Sequence, residues 1–251
     1  MPETRIDPHV KILDEQVVKR AKTRGIDVLV YAPHFTRLPT ARRRSKRLSD
    51  EDLLVVPGRE IFTGGWQNRK HVLALGLNEP IPDFIPLDVA MRELDRQDAV
   101  VLAPHPEFLT VSLEESDLQT YESQIDALEV YNPKHLPHHN DRALELAETY
   151  DFEVFGSSYA HRRTTVGEVW TTIDTKIETE TDLFEAFRSD RQKRVEHRST
   201  QRHDIRRMAE FAHLGWENTW KKFDRLLLSG TEATHPRHIA YEGQFDDVSV
   251  Y

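Results

Sequence analysis

A set of polar residues stands out by type and by place. His9 follows a short strand-like run, RIDP. His34 follows VLVYAP, Glu60 follows LLVVPGR and His105 follows VVLAP. Glu129 and Asn132 lie at the end of ALEVYN, and His161 follows EVFGSSYA. Imidazole nitrogens and carboxylate oxygens are the donors of zinc, manganese and iron sites. Such an ion lowers the pKa of a bound water to about 7 and so yields a hydroxide nucleophile at neutral pH. A lone histidine at a strand end is more often structural or merely exposed. What points to chemistry is the repeated placement of these residues after apolar runs. His71 differs, because it begins its apolar run; on spacing alone it reads as a buried structural histidine.

The elements that must position them are short apolar runs: IDVLVYA (26–32), LLVVPG (53–58), HVLALGL (71–77), AVVLAP (99–104), ALEVYN (127–132), EVFGSS (153–158) and VWTTI (169–173). They are continuous in hydrophobicity rather than alternating, as in strands buried on both faces of a parallel sheet. Helical patterns lie between them at 14–23, 87–96 and 140–150. Repeated strand–helix–strand order predicts an α/β fold with parallel βαβ units. In a parallel barrel the carboxyl ends of the strands share one face, where the site is built.

The chain of 251 residues has no cysteine, so a metal must sit on His, Asp or Glu. The amino terminus has no signal-like stretch and no apolar run nears the ~20 residues of a membrane span, so a cytoplasmic protein without a membrane partner is expected. The net charge of −9 does not fit a protein that acts by coating nucleic acid. Positive charge is local. Arg37, Arg42, Arg43, Arg44, Lys46 and Arg47 follow His34, either as a solvated helix face or as a phosphate or nucleic-acid guide at the site mouth. Residues 191–207 carry seven Lys or Arg against two acids. His135, His138 and His139 read as loop residues near the pocket. A barrel core is expected over 1–175. Over 176–251, helices and an extended tail are expected, with a long helix over 204–228 whose Trp216 and Trp220 pack it onto the barrel.

In order along the chain, these motifs resemble the PHP (polymerase and histidinol phosphatase) superfamily from Ile6 to Arg194. Its D-x-H-x-H appears as Asp7-Pro8-His9-Val10-Lys11, and its T-D-H as Ala32-Pro33-His34. Its G-x-E is Gly58-Arg59-Glu60, and its H-h-L-x-x-G is His71-Val72-Leu73-Ala74-Leu75-Gly76. Its A-H-P is matched by Pro104-His105-Pro106, and its E-x-x-N is Glu129-Val130-Tyr131-Asn132. Its closing S-D-A-H is Ser158-Tyr159-Ala160-His161, with Val166-Gly167 beyond. The resemblance implies a distorted seven-stranded, TIM-like (β/α) barrel with a C-terminal helical extension. It implies phosphoesterase chemistry on a metal cluster, and it makes His71 a ligand against the reading from spacing.

Two positions depart from the family. Lys11 stands where a second histidine is usual, and Tyr159 where an aspartate is usual. An ammonium is not a ligand at neutral pH and a neutral phenol is a poor one. The paired loss implies one or two ions of Zn, Mn or Fe rather than three, with Lys11 as a fixed positive charge in the vacated place. The ligands implied are His9, His34, Glu60, His71, His105 and His161, with Asp14 the nearest stand-in for a further one. Lys11, Glu60 and His161 are expected to be catalytic; Arg37, Arg59, Glu129, Asn132 and Tyr159 are expected to contact substrate. The expected reaction is hydrolysis of a phosphate monoester or of a nucleotide or oligonucleotide end. The partner is then a phosphorylated small molecule or a nucleic-acid end. The alternatives are a non-catalytic barrel that binds RNA or protein and, more distantly, a C–N or C–O hydrolase.

Overall fold

The computed structural model describes residues 2–65, 68–108, 111–199, 233–241, 243–245 and 248. Its strands are β1 (Thr4–Val10), β2 (Val28–Tyr31), β3 (Leu54–Thr63), β4 (Lys70–Leu75), β5 (Val100–Ala103), β6 (Ala127–Tyr131), β7 (Val154–Gly156), β8 (Val169–Ile173) and β9 (Lys193–His197). Its helices are α1 (Glu15–Thr23), α2 (Leu38–Leu48), α3 (Leu87–Arg96), α4 (Glu115–Thr120), α5 (Pro137–Thr149) and α6 (Glu180–Arg188). One sheet runs in the order β7-β6-β5-β4-β3-β2-β1-β8-β9. It curls into a nearly closed barrel. Val10 bridges in parallel to Ala160 just beyond β7, and Lys11 N donates to Ala160 O at 2.9 Å. The Thr171 hydroxyl of β8 donates to Gly156 O and accepts from Gly156 N, both at 3.0 Å.

The α/β barrel matches the expectation, and its strand count and directions correct it. Seven strands were expected and nine are present among the described residues. β8 pairs antiparallel with β1, and β9 antiparallel with β8. β9 escaped notice because KRVEH is a largely polar edge strand whose outer face needs no apolar residue. Nor is the sheet wholly parallel. β4 runs antiparallel to both β3 and β5. Its link to β3 spans only residues 64–69, too short for the crossover that a parallel pair needs. The reversal brings the amino end of β4, and His71 with it, to the end of the barrel where β3 and β5 finish.

The barrel interior is a column of alternating residues. Val28, Val30 and Ala32, Val56 of β3, Leu73 and Leu75 of β4, and Val100 and Leu102 of β5 form one buried cluster with Phe155. Leu183, Ala186 and Phe187 of α6 join that cluster and plug the barrel at the end remote from His71. A Cβ on Gly58 would stand 2.9 Å from side-chain atoms of both Leu75 and Val30, so the column leaves no room for a side chain there. With a period of two, the inward face of β3 reads Val56, Gly58, Glu60, and that of β4 reads Leu75, Leu73, His71. The polar residues are therefore the top layer of an apolar column. The long helix expected over 204–228, with Trp216 and Trp220, lies outside the described residues, as does the end of the basic stretch from Arg191. No described helix is long and apolar enough to cross a membrane.

Candidate metal centre

The buried Glu60 carboxylate gathers the top layer. His105 Nε2 lies 3.2 Å from its Oε1, and His9 Nε2 and His71 Nδ1 each lie 3.5 Å from the same oxygen. His34 Nε2 lies 2.6 Å from Oε2. The Lys11 ammonium also donates to Oε2, at 2.6 Å, and to Ala32 O at 2.8 Å. One donor atom from each of Glu60, His71 and His105 falls within 4.8 Å of the others. Both ring nitrogens of His9 and of His71 are buried with no hydrogen-bond partner. Buried polar atoms are almost always satisfied. Neutral imidazole lone pairs turned toward a carboxylate are what a divalent cation needs, so the residues fit a metal.

The electrostatics agree. Burial, and then the Lys11 charge, push His34 down to about 3. Burial holds His71 down at about 4 and His9 well below the usual imidazole range. The rings are therefore neutral, the form in which histidine binds metal. Burial alone would raise Glu60, but Lys11 beside it keeps its carboxyl well below the usual carboxylate range. Burial lowers Lys11 to about 8 against the pull of Glu60, which leaves it charged at neutral pH.

The surrounding loops are held by buried hydrogen bonds. Asp7 accepts from Ser158 N at 3.0 Å, Ser158 Oγ at 2.6 Å and Gly167 N at 2.9 Å. These bonds fix the segment that carries Tyr159 and His161 against β1. Glu129 accepts from His105 N at 2.7 Å, Ser157 Oγ at 2.5 Å and Asn132 Nδ2 at 3.1 Å. Ser112 Oγ meets His105 Nδ1 at 3.0 Å, which aims Nε2 at Glu60. Backbone strain collects here: Phe35, His105, Glu107 and Tyr159 adopt φ between 36° and 51°. Strained backbone of this kind persists only where the surroundings over-determine it.

Among curated proteins, none matches this sequence. The model of the PHP-associated family, PHP_C, matches residues 137–191, which cover α5 to α6. Solved structures share the fold across the barrel. PsfC from Pseudomonas syringae aligns with a TM-score of 0.62 at 18% identity, over 90% of this chain and 100% of that one. The lesion-specific endonuclease PfuEndoQ from Pyrococcus furiosus aligns at 0.59 and 13%, over 77% of this chain and 58% of that one. An amidohydrolase from Chromobacterium violaceum, with bound sulfate and no metal, aligns at 0.52 and 12%, over 76% and 97%. The likeness to PHP-associated proteins is therefore direct over residues 137–191, and the rest of the barrel shares the fold of these solved structures.

The barrel sets His9, His34, His71 and His105 around the Glu60 carboxylate, with His161 at the rim. The His161 ring is 5.3 Å from that of His34 and 4.8 Å from that of Tyr159. Tyr159 packs 4.7 Å from His9 and 5.3 Å from His105. Other expected positions have different surroundings. Arg59 is buried and donates to Thr36 O at 2.6 Å and to Asp83 Oδ2 at 3.0 Å, so it anchors the loop after His34. Glu129 and Asn132 are buried in the brace described above and hold backbone. Asp14 caps α1 at Val17 N and pairs with Arg163 at 2.7 Å, which takes it out of the ligand set. Arg37 is the residue before α2, three positions beyond His34.

The basic run does not guide a phosphate to this mouth as a whole. α2 starts at the site and runs down the barrel wall, about 16 Å over its eleven residues. Arg42 donates to Leu77 O and Asn78 O, beyond the far end of β4 from His71. Of the three loop histidines, His135 is buried near the site. It stacks on Phe108 at 4.1 Å and lies 6.4 Å from the His105 ring. The residue that sequence reasoning missed is Lys134. It is buried, donates to Tyr159 O, and brings Nζ within 2.6 Å of His161 Nδ1. Its place two residues after the E-x-x-N motif was the available signal.

Proposed function

We propose that this protein is a metal-dependent hydrolase of phosphoesters whose ion is held by Glu60, His71 and His105. The observation that carries the reading is that buried Glu60, His71 and His105 bring one donor atom each within 4.8 Å of the others, beside unpartnered ring nitrogens of His9 and His71. When bound, a divalent ion supplies Lewis acidity toward a phosphoryl oxygen and makes a water acidic enough to ionise near neutral pH. The chain supplies the rest. Lys11 is a fixed cation in the layer of ligands, and it offsets charge that builds on phosphoryl oxygens. Ser112 and Glu129 hold His105 in place through its side chain and its backbone N–H. Tyr159, packed on the rings of His9 and His105, would meet the bound group, and Arg37 would add charge from the start of α2.

Depth favours a protruding group as substrate. Side-chain exposure is 0% at Glu60, 3% at Lys11 and 15% at His34. A terminal phosphate reaches such a layer, whereas a diester within a strand would have to bring its flanking sugars in as well. A phosphate monoester or a nucleotide or oligonucleotide end therefore suits the site. The test is metal content after loading with Mn²⁺ or Zn²⁺ and dialysis, with hydrolysis of p-nitrophenyl phosphate, bis(p-nitrophenyl) phosphate and a 5′-phosphorylated oligonucleotide. Retained metal and preference for the terminal monoesters, both lost in Glu60→Ala, are expected. Protein that takes up no metal would overturn the reading and favour a non-catalytic binding module.

A further inference from the structure

We infer that Lys134 fixes His161 in the tautomer that carries its proton on Nε2, which withdraws His161 from metal coordination and makes it a hydrogen-bond donor to an anionic group. The tautomer stands on local geometry with Lys134 charged; its use toward a phosphoryl group rests on the hydrolase reading.

The argument begins at the loop after β6. Lys134 N donates to Asn132 Oδ1 at 3.0 Å, and this turn carries the Lys134 side chain inward. Its Nζ donates to Tyr159 O, sits 4.1 Å from the centre of the Tyr159 ring, and reaches 2.6 Å from His161 Nδ1. An ammonium has donors and no acceptor. Nδ1 must then accept. Tyr159 O also lies 3.1 Å from Nδ1, and without Lys134 it would take a proton from that nitrogen. With the ammonium bonded to both atoms, a proton on Nδ1 would point into the ammonium hydrogens. A doubly protonated ring is excluded by the same contact. The single proton of the neutral ring is left on Nε2.

A metal ligand needs a lone pair. At His161 one nitrogen gives its lone pair to Lys134 and the other carries a hydrogen. Two lysines have thus altered the ligand layer: Lys11 by occupying a position, and Lys134 by dictating a proton. What remains for an ion is the Glu60, His71 and His105 group. The rim beside it presents the His161 N–H, with Lys11 Nζ 5.4 Å from the centre of the same Tyr159 ring.

The experiment is nitrogen-15 NMR of histidine side chains in the full chain, with His161 assigned by loss of its signals in His161→Gln. In both metal-free and Zn²⁺-loaded protein, His161 should show a protonated Nε2 and an unprotonated Nδ1. Lys134→Met should move the proton to Nδ1, and Zn²⁺ should then shift Nε2. Lys134→Arg, which keeps a donor, should preserve the parent pattern. A parent His161 protonated on Nδ1, or one whose Nε2 shifts with Zn²⁺, overturns the inference, and this reading needs no folded variant of Lys134. Inorganic phosphate added to the Zn²⁺-loaded parent should move the Nε2–H proton signal; no movement would overturn the donor role. If the tautomer is found while no phosphoester is cleaved, the hydrolase reading fails and the tautomer assignment stands.

Discussion

The Lys11 ammonium lies 2.6 Å from Oε2 of Glu60, and both groups are buried. Breaking a buried pair strands a charge, at a cost of roughly 3–5 kcal/mol. Lys11→Met should therefore destabilise metal-free protein by about that amount. A bound divalent ion would supply the missing countercharge, so the loss should shrink sharply in Zn²⁺-loaded protein. Denaturant unfolding with chelator and with excess Zn²⁺ measures both. Equal losses in the two states would show that Lys11 and an ion do not share Glu60.

Placing at positions 11 and 159 the residues usual in the PHP superfamily should add an ion. Lys11→His combined with Tyr159→Asp recreates four donors with His9 and Glu60. The reverted protein should retain one more metal equivalent than the parent in elemental analysis. Lys11→Ala alone should lose activity and keep its metal. Unchanged stoichiometry in the double variant would mean that Lys11 and Tyr159 do not stand in a vacated metal place.

Glu60 and His9 should differ in their effect on metal. Glu60 shares a compact donor group with His71 and His105, whereas His9 stands beside Lys11 and Tyr159, where the resemblance implies two further ligands. Glu60→Ala should remove most bound metal and the thermal stabilisation that metal confers, since a ligand bound only by the native state stabilises it. His9→Ala should retain most of both. Chelator titration followed by thermal unfolding reads the difference, and comparable losses in both variants would argue for an ion at His9.

Asp7 should matter for folding more than its distance from the ligands implies. Its three donors are Ser158 N, Ser158 Oγ and Gly167 N. Asp7→Ala strands two buried backbone N–H groups, each costing about 1–3 kcal/mol. A fall in stability of roughly 2–5 kcal/mol is expected, with faster hydrogen exchange at Gly167. A loss under about 1 kcal/mol would mean that water or repacking satisfies those donors.

Gly58 should not tolerate a methyl group. Its Cβ would press on Leu75 and Val30 directly beneath Glu60. Overpacking of this kind costs about 1–3 kcal/mol. Gly58→Ala should lower stability by that much and weaken metal retention by tilting β3. Retention identical to the parent would separate the column from the site.

Much of the site was legible because strand chemistry is local. Apolar runs must be buried, and a polar residue at the end of such a run must surface where the column ends. His34, Glu60 and His105 were found on that basis, and the ordered motifs added His71, Lys11 and Tyr159. Strand direction was not legible. HVLALGL reads as a strand in either direction, and only its pairing with Arg59 to Thr63 and with Val100 to Leu102 decided that it runs backward and puts His71 in the ligand layer. β9 was missed for a related reason: a polar edge strand is recognised by its neighbour, not by its own composition.

Side-chain roles also divided between sequence and structure. The replacement of two usual ligands by Lys11 and Tyr159 is visible in the residues themselves. The roles of Arg59, Glu129, Asn132 and Asp14 are not, because a charged or amide side chain near a motif can face a substrate or hold a loop. Only its partners tell which. The residues alone determined that a histidine-rich, cysteine-free layer would crown an α/β barrel, because composition and periodicity act over a few neighbouring positions. The tertiary structure decided that Lys134 meets His161 across 27 positions of chain. That contact sets where one proton resides, and a proton's place depends on atoms within about 3 Å in space, whatever their distance along the sequence.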